Sequence, residues 1–161
     1  MDRKSSFPPV VDADCRILVL GSLPGEESLA RQRYYANPRN QFWRLIGDVI
    51  GEALEPLAYE RRLDTLLRAG VGLWDTVGSA TRVGSLDGAI REVSANPLAP
   101  LVAGLPNLRA VGFNGGRSAS LGMKQLAGSG LALVPLPSSS PAYTLSFAAK
   151  LERWRALRAF L

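Results

Sequence analysis

The chain has 161 residues, 19 Lys+Arg, 14 Asp+Glu and no His, a formal net charge of +5, and its length suits one domain with a proper core. Without His there is no Ser-His-Asp or Cys-His catalysis and no imidazole-held metal, and the single Cys15 excludes an intramolecular disulfide or a Cys-rich zinc site. No run of 18 apolar residues offers a membrane span, so the expectation is a cytoplasmic protein that meets no membrane and binds no metal.

Residues 1–14 carry charges but no apolar signal core, and are expected to form a short, partly ordered tail before one domain over 15–161. Cys15 lies just before an apolar run and reads as a small buried residue. Arg16–Leu20 predicts a strand buried on both faces, and Gly21–Gly25 a tight loop. Ser28–Tyr35 reads as a short helix. Asn40 opens a second, with Phe42, Leu45, Ile46, Val49 and Ile50 on one face and Gly51 as its stop. Pro56–Ala69 predicts a third helix. Val71–Trp74 is a second strand, followed by Asp75-Thr76 and a Gly/Ser/Thr-rich loop over 77–88. Short helices are expected over Leu86–Glu92 and Pro97–Leu105. Leu108–Phe113 is a third strand, with a helix from Asn114-Gly115-Gly116 to about Leu126. Leu131–Leu136 is a fourth strand. Pro137–Pro141 is a rigid polar loop, and Thr144 caps a last helix with its stripe at Phe147, Leu151, Trp154, Leu157 and Leu161.

Strands alternating with helices at this spacing predict an α/β fold, a three-layer α/β/α sandwich with a central four-stranded parallel sheet. In such sheets ligands bind beyond the carboxyl ends of the strands. That places Gly21–Gly25, Asp75-Thr76, Asn114–Gly116 and Pro137–Pro141 on one rim. None of these loops has the G-x-G-x-x-G or G-x-x-x-x-G-K-[ST] spacing, so no nucleotide cofactor is expected, nor any other.

Charge is uneven along the chain. Glu152 is the only acid after Glu92, and residues 28–47 lack acids while carrying Arg31, Arg33, Arg39 and Arg44. These stretches suit a polyanion if they meet in space, or else a solvated Arg-rich surface. Tyr34–Trp43 places four aromatic rings, Asn37, Asn40 and Arg39 within ten residues, a mixture that suits base stacking beside phosphate contacts. Core packing explains Phe42 equally well and Trp43 better, and a helix cap explains Asn40. Ser138, Ser139 and Ser140 between two prolines allow close backbone approach to a phosphodiester, or form an ordinary connection. An ionised Asp75 accepts hydrogen bonds only, either from a ligand N–H or as a local cap.

These residues resemble the uracil-DNA glycosylase superfamily and, within it, the hypoxanthine-DNA glycosylase family, also called DNA-deoxyinosine glycosylases. The resemblance rests on Gly21-Ser22-Leu23-Pro24-Gly25, Tyr34-Tyr35, Asn37-Pro38-Arg39-Asn40-Gln41-Phe42-Trp43, Leu73-Trp74-Asp75, Gly84-Ser85-Leu86-Asp87, Phe113-Asn114-Gly115 and Leu136-Pro137-Ser138-Ser139-Ser140-Pro141-Ala142. It implies an enzyme that flips a deaminated base out of double-stranded DNA and hydrolyses its N-glycosidic bond; a monomer is expected. Asn40 would be catalytic and Phe42 would stack on the base. Gly21, Ser22, Gly25, Asp75 and Asn114 would complete the base site, and Ser138, Ser139, Ser140 and Pro141 would press on the DNA strand. The chain departs from uracil enzymes at Leu23, where they carry Asp, and at Leu136, where they carry His. Gly25 replaces a pocket-narrowing Tyr and leaves room for a purine. An Asn carbonyl can orient water and face a developing cation without taking up a proton. A degenerate module that binds damaged DNA without cleaving it is the alternative, and a hydrolase of free nucleosides is a third reading.

Overall fold

A computed structural model describes residues 2–161. In chain order its first half holds β1 (Arg3–Ser5), β2 (Ile17–Gly21), α1 (Glu26–Arg31), α2 (Phe42–Ile50), α3 (Tyr59–Arg68), β3 (Val71–Asp75) and β4 (Val77–Thr81). Then come a 3₁₀ turn (Asp87–Ala89), β5 (Arg91–Ala95), α4 (Leu98–Ala103), β6 (Ala110–Asn114), α5 (Gly116–Leu126), β7 (Ala132–Leu136), α6 (Phe147–Trp154) and a closing 3₁₀ segment (Arg155–Phe160).

The main sheet has the order β3-β2-β6-β7 and every pair in it is parallel. All five residues of β2 are buried, because successive side chains point to opposite faces and both faces are covered. Ile17 and Val19 pack under α2, α3 and α6 with Leu45, Leu66 and Trp154. Leu18 and Leu20 pack with Leu98 of α4 and Leu126 of α5. The layers are therefore helix, sheet, helix.

From β2 the chain crosses to β3 on one side, and from β3 it returns to β6 on the other. Connections thus diverge between β2 and β6, and a crevice opens beyond their carboxyl ends, Gly21 and Asn114.

Local expectations are corrected at several places. Residues 3–5, expected within a tail, form β1 and pair antiparallel with β4, and Val10 bridges Leu73. The N-terminal segment lies so close to β3 that a Cβ on Gly72 would meet Val11 Cγ1 at 2.8 Å. The stretch read as a loop over 77–88 contains β4, which pairs with β1 and β5 in a small antiparallel sheet. Its small residues gave no alternation to read, and one of its partners, β1, lies more than 70 residues away in sequence. The helix expected over Leu86–Glu92 shrinks to the 3₁₀ turn before β5. The helix expected over Ser28–Tyr35 is α1, ending at Arg31, because Gln32 and Tyr35 adopt positive φ of 55° and 53°. The third helix starts at Tyr59 rather than Pro56. Ser146, not Thr144, caps α6, its Oγ accepting from Ala149 N–H at 3.2 Å. Cys15 is buried and burial raises its thiol pKa, which keeps it a thiol.

Candidate active site

A cavity of about 410 Å³ lies in the crevice. The Gly21–Gly25 loop, Tyr35, Asn40, Asp75, the 85–87 loop and the 138–142 loop line it. The rim loops predicted from the sequence thus do converge.

Its aromatic wall differs from the expectation. Phe42 is fully buried at the start of α2 and does not line the cavity. Tyr35 lies flat on it, with ring centroids 3.8 Å apart and planes 12° from parallel. Trp43 and Trp154 meet Phe42 edge-on at 5.0 and 5.9 Å. The ring offered to the cavity is therefore Tyr35, and Phe42 is its backing. The Tyr35 backbone is held by Trp43 Nε1–H, which donates to Tyr35 O at 3.1 Å. Burial keeps the Tyr35 phenol far above its ordinary pKa, so it stays a neutral hydroxyl.

Asp75 ends β3 beside Gly21, its register partner on β2. The absent side chain at Gly21 makes room for it: a Cβ there would lie 2.6 Å from Asp75 Oδ1 and 3.1 Å from Tyr35 Oη. Asp75 is buried, and its Oδ2 has no hydrogen-bond partner among the described residues. Burial first, and the like charge of Asp87 second, push its carboxyl up to about 7, against an opposing pull from the Arg82 guanidinium. Against the expectation of an ionised Asp75, burial thus favours its neutral form.

Ser22 Oγ donates to Asp87 Oδ1 at 2.6 Å, tying the first loop to the 3₁₀ turn that covers it. Arg82 is buried behind the same loop. It donates to the carbonyls of Leu23, Pro24 and Gly84, so its charge rests on peptide dipoles. A Cβ at Gly25 would face Ser85 at 3.4 to 3.5 Å, and Ser85 Oγ accepts from Glu26 N–H at 2.9 Å to start α1.

Asn40 lines the cavity while its Oδ1 accepts from Phe42 N–H at 2.9 Å, an Asx turn that leads into α2. That bond fixes the amide and leaves Oδ1 a second lone pair. The next residue, Gln41, donates its N–H to Ser139 O at 2.9 Å, and its Oε1 accepts from Lys150 Nζ at 2.9 Å. Lys150 also donates to Ser140 O at 3.1 Å. It is buried, and burial lowers its pKa. This cation therefore sits under the serine loop, bound to neutral oxygens.

Asn114 does not present a free amide to a base. Its Nδ2 donates to Ser139 Oγ at 2.9 Å and Tyr35 Oη at 3.3 Å, and its Oδ1 accepts from Ser139 N–H at 2.9 Å. Its donors and main acceptor site are spent, so it acts as a clamp between β6, Tyr35 and the serine loop. Ser139 is buried in that clamp. Ser138 Oγ and Ser140 Oγ accept from Ser140 N–H and Ala142 N–H at 3.1 and 3.2 Å, shaping the loop that carries Pro141.

Four residues were not singled out for a role in the sequence: Tyr35, Asp87, Arg82 and Lys150. Tyr35 stood in the same aromatic run as Phe42, and its left-handed backbone (φ 53°) left no sequence pattern to distinguish the ring that faces in from the one behind. Asp87 stood in the Gly84–Asp87 segment. Arg82 and Lys150 carried no local signal.

The family model for the uracil DNA glycosylase superfamily matches residues 8–158. A hypoxanthine DNA glycosylase of Methanosarcina acetivorans is 42% identical over 154 residues, covering 96% of this chain and 97% of that protein. One from Methanosarcina barkeri is 44% identical over 116 residues, covering 72% and 73%. A solution NMR structure of a Methanosarcina acetivorans protein assigned to the uracil DNA glycosylases superposes with a TM-score of 0.88 at 40% identity, covering 98% of this chain and 97% of that one. The chain belongs to the uracil DNA glycosylase superfamily. It is a DNA N-glycosylase of the repair type, and DNA is its substrate.

Proposed function

We propose that the protein removes hypoxanthine from double-stranded DNA and leaves an abasic site, working as a monomer. The carrying observation is the Tyr35 face, backed by Phe42 at 3.8 Å, meeting an unpartnered carboxyl at Asp75 in one cavity. The two relatives named as hypoxanthine DNA glycosylases support the choice of base.

The target base must leave the stack before its glycosidic bond can be reached. Extruded, it lies on Tyr35, a sequence-tolerant aromatic contact worth ~1–3 kcal/mol per base, and turns its hydrogen-bonding edge to Asp75. The Pro137–Pro141 loop holds the strand. As the C1′–N9 bond breaks, its electron pair leaves with the purine and positive charge grows on the sugar. Asn40 uses the free lone pair of Oδ1 to orient a water toward C1′. The water oxygen forms the new C1′–O bond and gives its proton to solvent, and the departing purine anion takes up a proton from solvent to leave as neutral hypoxanthine. Leu23 supplies no base, so positioning and charge stabilisation carry the rate.

The test is incubation with duplexes carrying inosine, uracil or xanthine, followed by alkali. The reading expects strand scission at inosine. A shifted duplex that stays intact in alkali instead favours the binding module, and turnover of free inosine without DNA favours a nucleoside hydrolase.

A further inference from the structure

We infer that Asp75 reads the extruded base as a neutral acid, donating its proton to the base carbonyl and accepting from the adjacent ring N–H, and that Asp87 is the positioning residue that keeps it so. This rests on the reading of the cavity as a hypoxanthine pocket.

Hypoxanthine presents a carbonyl oxygen at C6 beside an N1–H. A carboxylate meets that edge with two acceptors and satisfies only the N–H. A carboxylic acid meets it with one donor and one acceptor. Asp75 lines the cavity, and its Oδ2 is buried with no donor to stabilise negative charge. An anion so placed is costly, whereas a neutral acid needs only one partner for its proton. A bound purine covers the remaining exposed part of this carboxyl and raises the cost of charge further.

The surrounding charges act in the same direction. The groups that face Asp75 are Asp87 from the 3₁₀ turn, Arg82 from beyond β4, and the neutral phenols of Tyr34 and Tyr35. Arg82 favours the anion but is occupied by the Leu23, Pro24 and Gly84 carbonyls. Asp87 opposes the anion, and Ser22 anchors it through the 2.6 Å bond. The shift of Asp75 to about 7, with Asp87 as its second cause, agrees with this arrangement.

The experiment is single-turnover hypoxanthine release from an inosine duplex between pH 5.5 and 8.5, with Asp87→Asn and Asp75→Asn beside the unaltered protein. Release should fall about tenfold as pH rises through about 7, the worth of one hydrogen bond. Asp87→Asn still accepts from Ser22 but removes the like charge, so the transition should move to lower pH. Asp75→Asn fixes one donor and one acceptor, so the transition should vanish. A transition that stays in place in Asp87→Asn, or survives in Asp75→Asn, overturns the inference. Carboxyl ¹³C NMR of the DNA-free protein gives a second readout that needs no turnover. An Asp75 carboxyl titrating near neutrality, and lower in Asp87→Asn, supports the inference, and one titrating in the ordinary acidic range overturns it. Absence of hypoxanthine release at every pH would contradict the substrate reading alone, since the NMR titration still decides the state of Asp75.

Discussion

The ring of Tyr35 lies on the ring of Phe42 at 3.8 Å and 12°, so the aromatic surface of the cavity is two rings deep and only the outer one is available to a base. The two residues should therefore fail differently. Tyr35→Leu should lower single-turnover release from an inosine duplex about 10- to 100-fold, the worth of one stacked base, with a small change in Tm. Phe42→Ala should cost ~3–5 kcal/mol of folding stability. Chemical denaturation and single-turnover assays on both variants separate the roles.

Gly21 is constrained by Asp75. With a Cβ due 2.6 Å from Asp75 Oδ1, Gly21→Ala should push the carboxyl out of place. The expected outcome is loss of release by tenfold or more, with binding of undamaged duplex unaffected. Gel shift on undamaged DNA, run beside the release assay, checks it.

Folding stability should respond to Asp75 as well. Its folded-state pKa, about 7, is raised above the ordinary carboxylate value, so the folded protein holds a proton that the unfolded chain gives up. This contribution is fully present below the ordinary carboxylate range and is lost as pH rises to about 7. Its size is on the order of a few kcal/mol. Asp75→Asn should flatten that part of the profile, measured as unfolding free energy against pH.

Lys150 ties Gln41 to Ser140 from beneath the serine loop. Lys150→Met keeps much of the buried volume and removes the cost of burying charge, but leaves two oxygens without their donor. Stability should change by less than about 2 kcal/mol, while the KM for inosine-containing duplex should rise several-fold. Steady-state kinetics and a thermal melt distinguish these effects.

The sheet was legible because its strands are continuous apolar runs ending in polar or Gly-rich loops, as Ile17–Gly21 and Val71–Asp75 are. The rim followed from topology, so most of the cavity's loops were predictable. β4 was not, because Val77–Thr81 is a strand through pairing with Arg3–Ser5 and Arg91–Ala95 rather than through its own pattern. The site followed the same division. Asn40 was read as the cap that opens the second helix, but Gln41 holds that position and α2 starts at Phe42, while Asn40 Oδ1 makes an Asx turn to Phe42 N–H. Which of two rings in one aromatic run faces the cavity is set by how they pack, Tyr35 outside Phe42, and spacing does not encode that. The spending of Asn114 on Ser139 depends on two loops 25 residues apart. The raised pKa of Asp75 comes first from its burial and second from a carboxylate 12 positions on, and spacing alone encodes neither.

The most direct test of the central claim is the rate at which free hypoxanthine appears from an inosine-containing duplex, by chromatography, for the unaltered protein and for Asn40→Ala. Removing the side chain also removes the turn at the start of α2, at a cost of ~1 kcal/mol, so both proteins are assayed well below their melting temperatures. The account predicts stoichiometric release of hypoxanthine by the unaltered protein and a rate at least about 100-fold lower in Asn40→Ala. Equal rates for the two proteins, or no hypoxanthine from either, would contradict it.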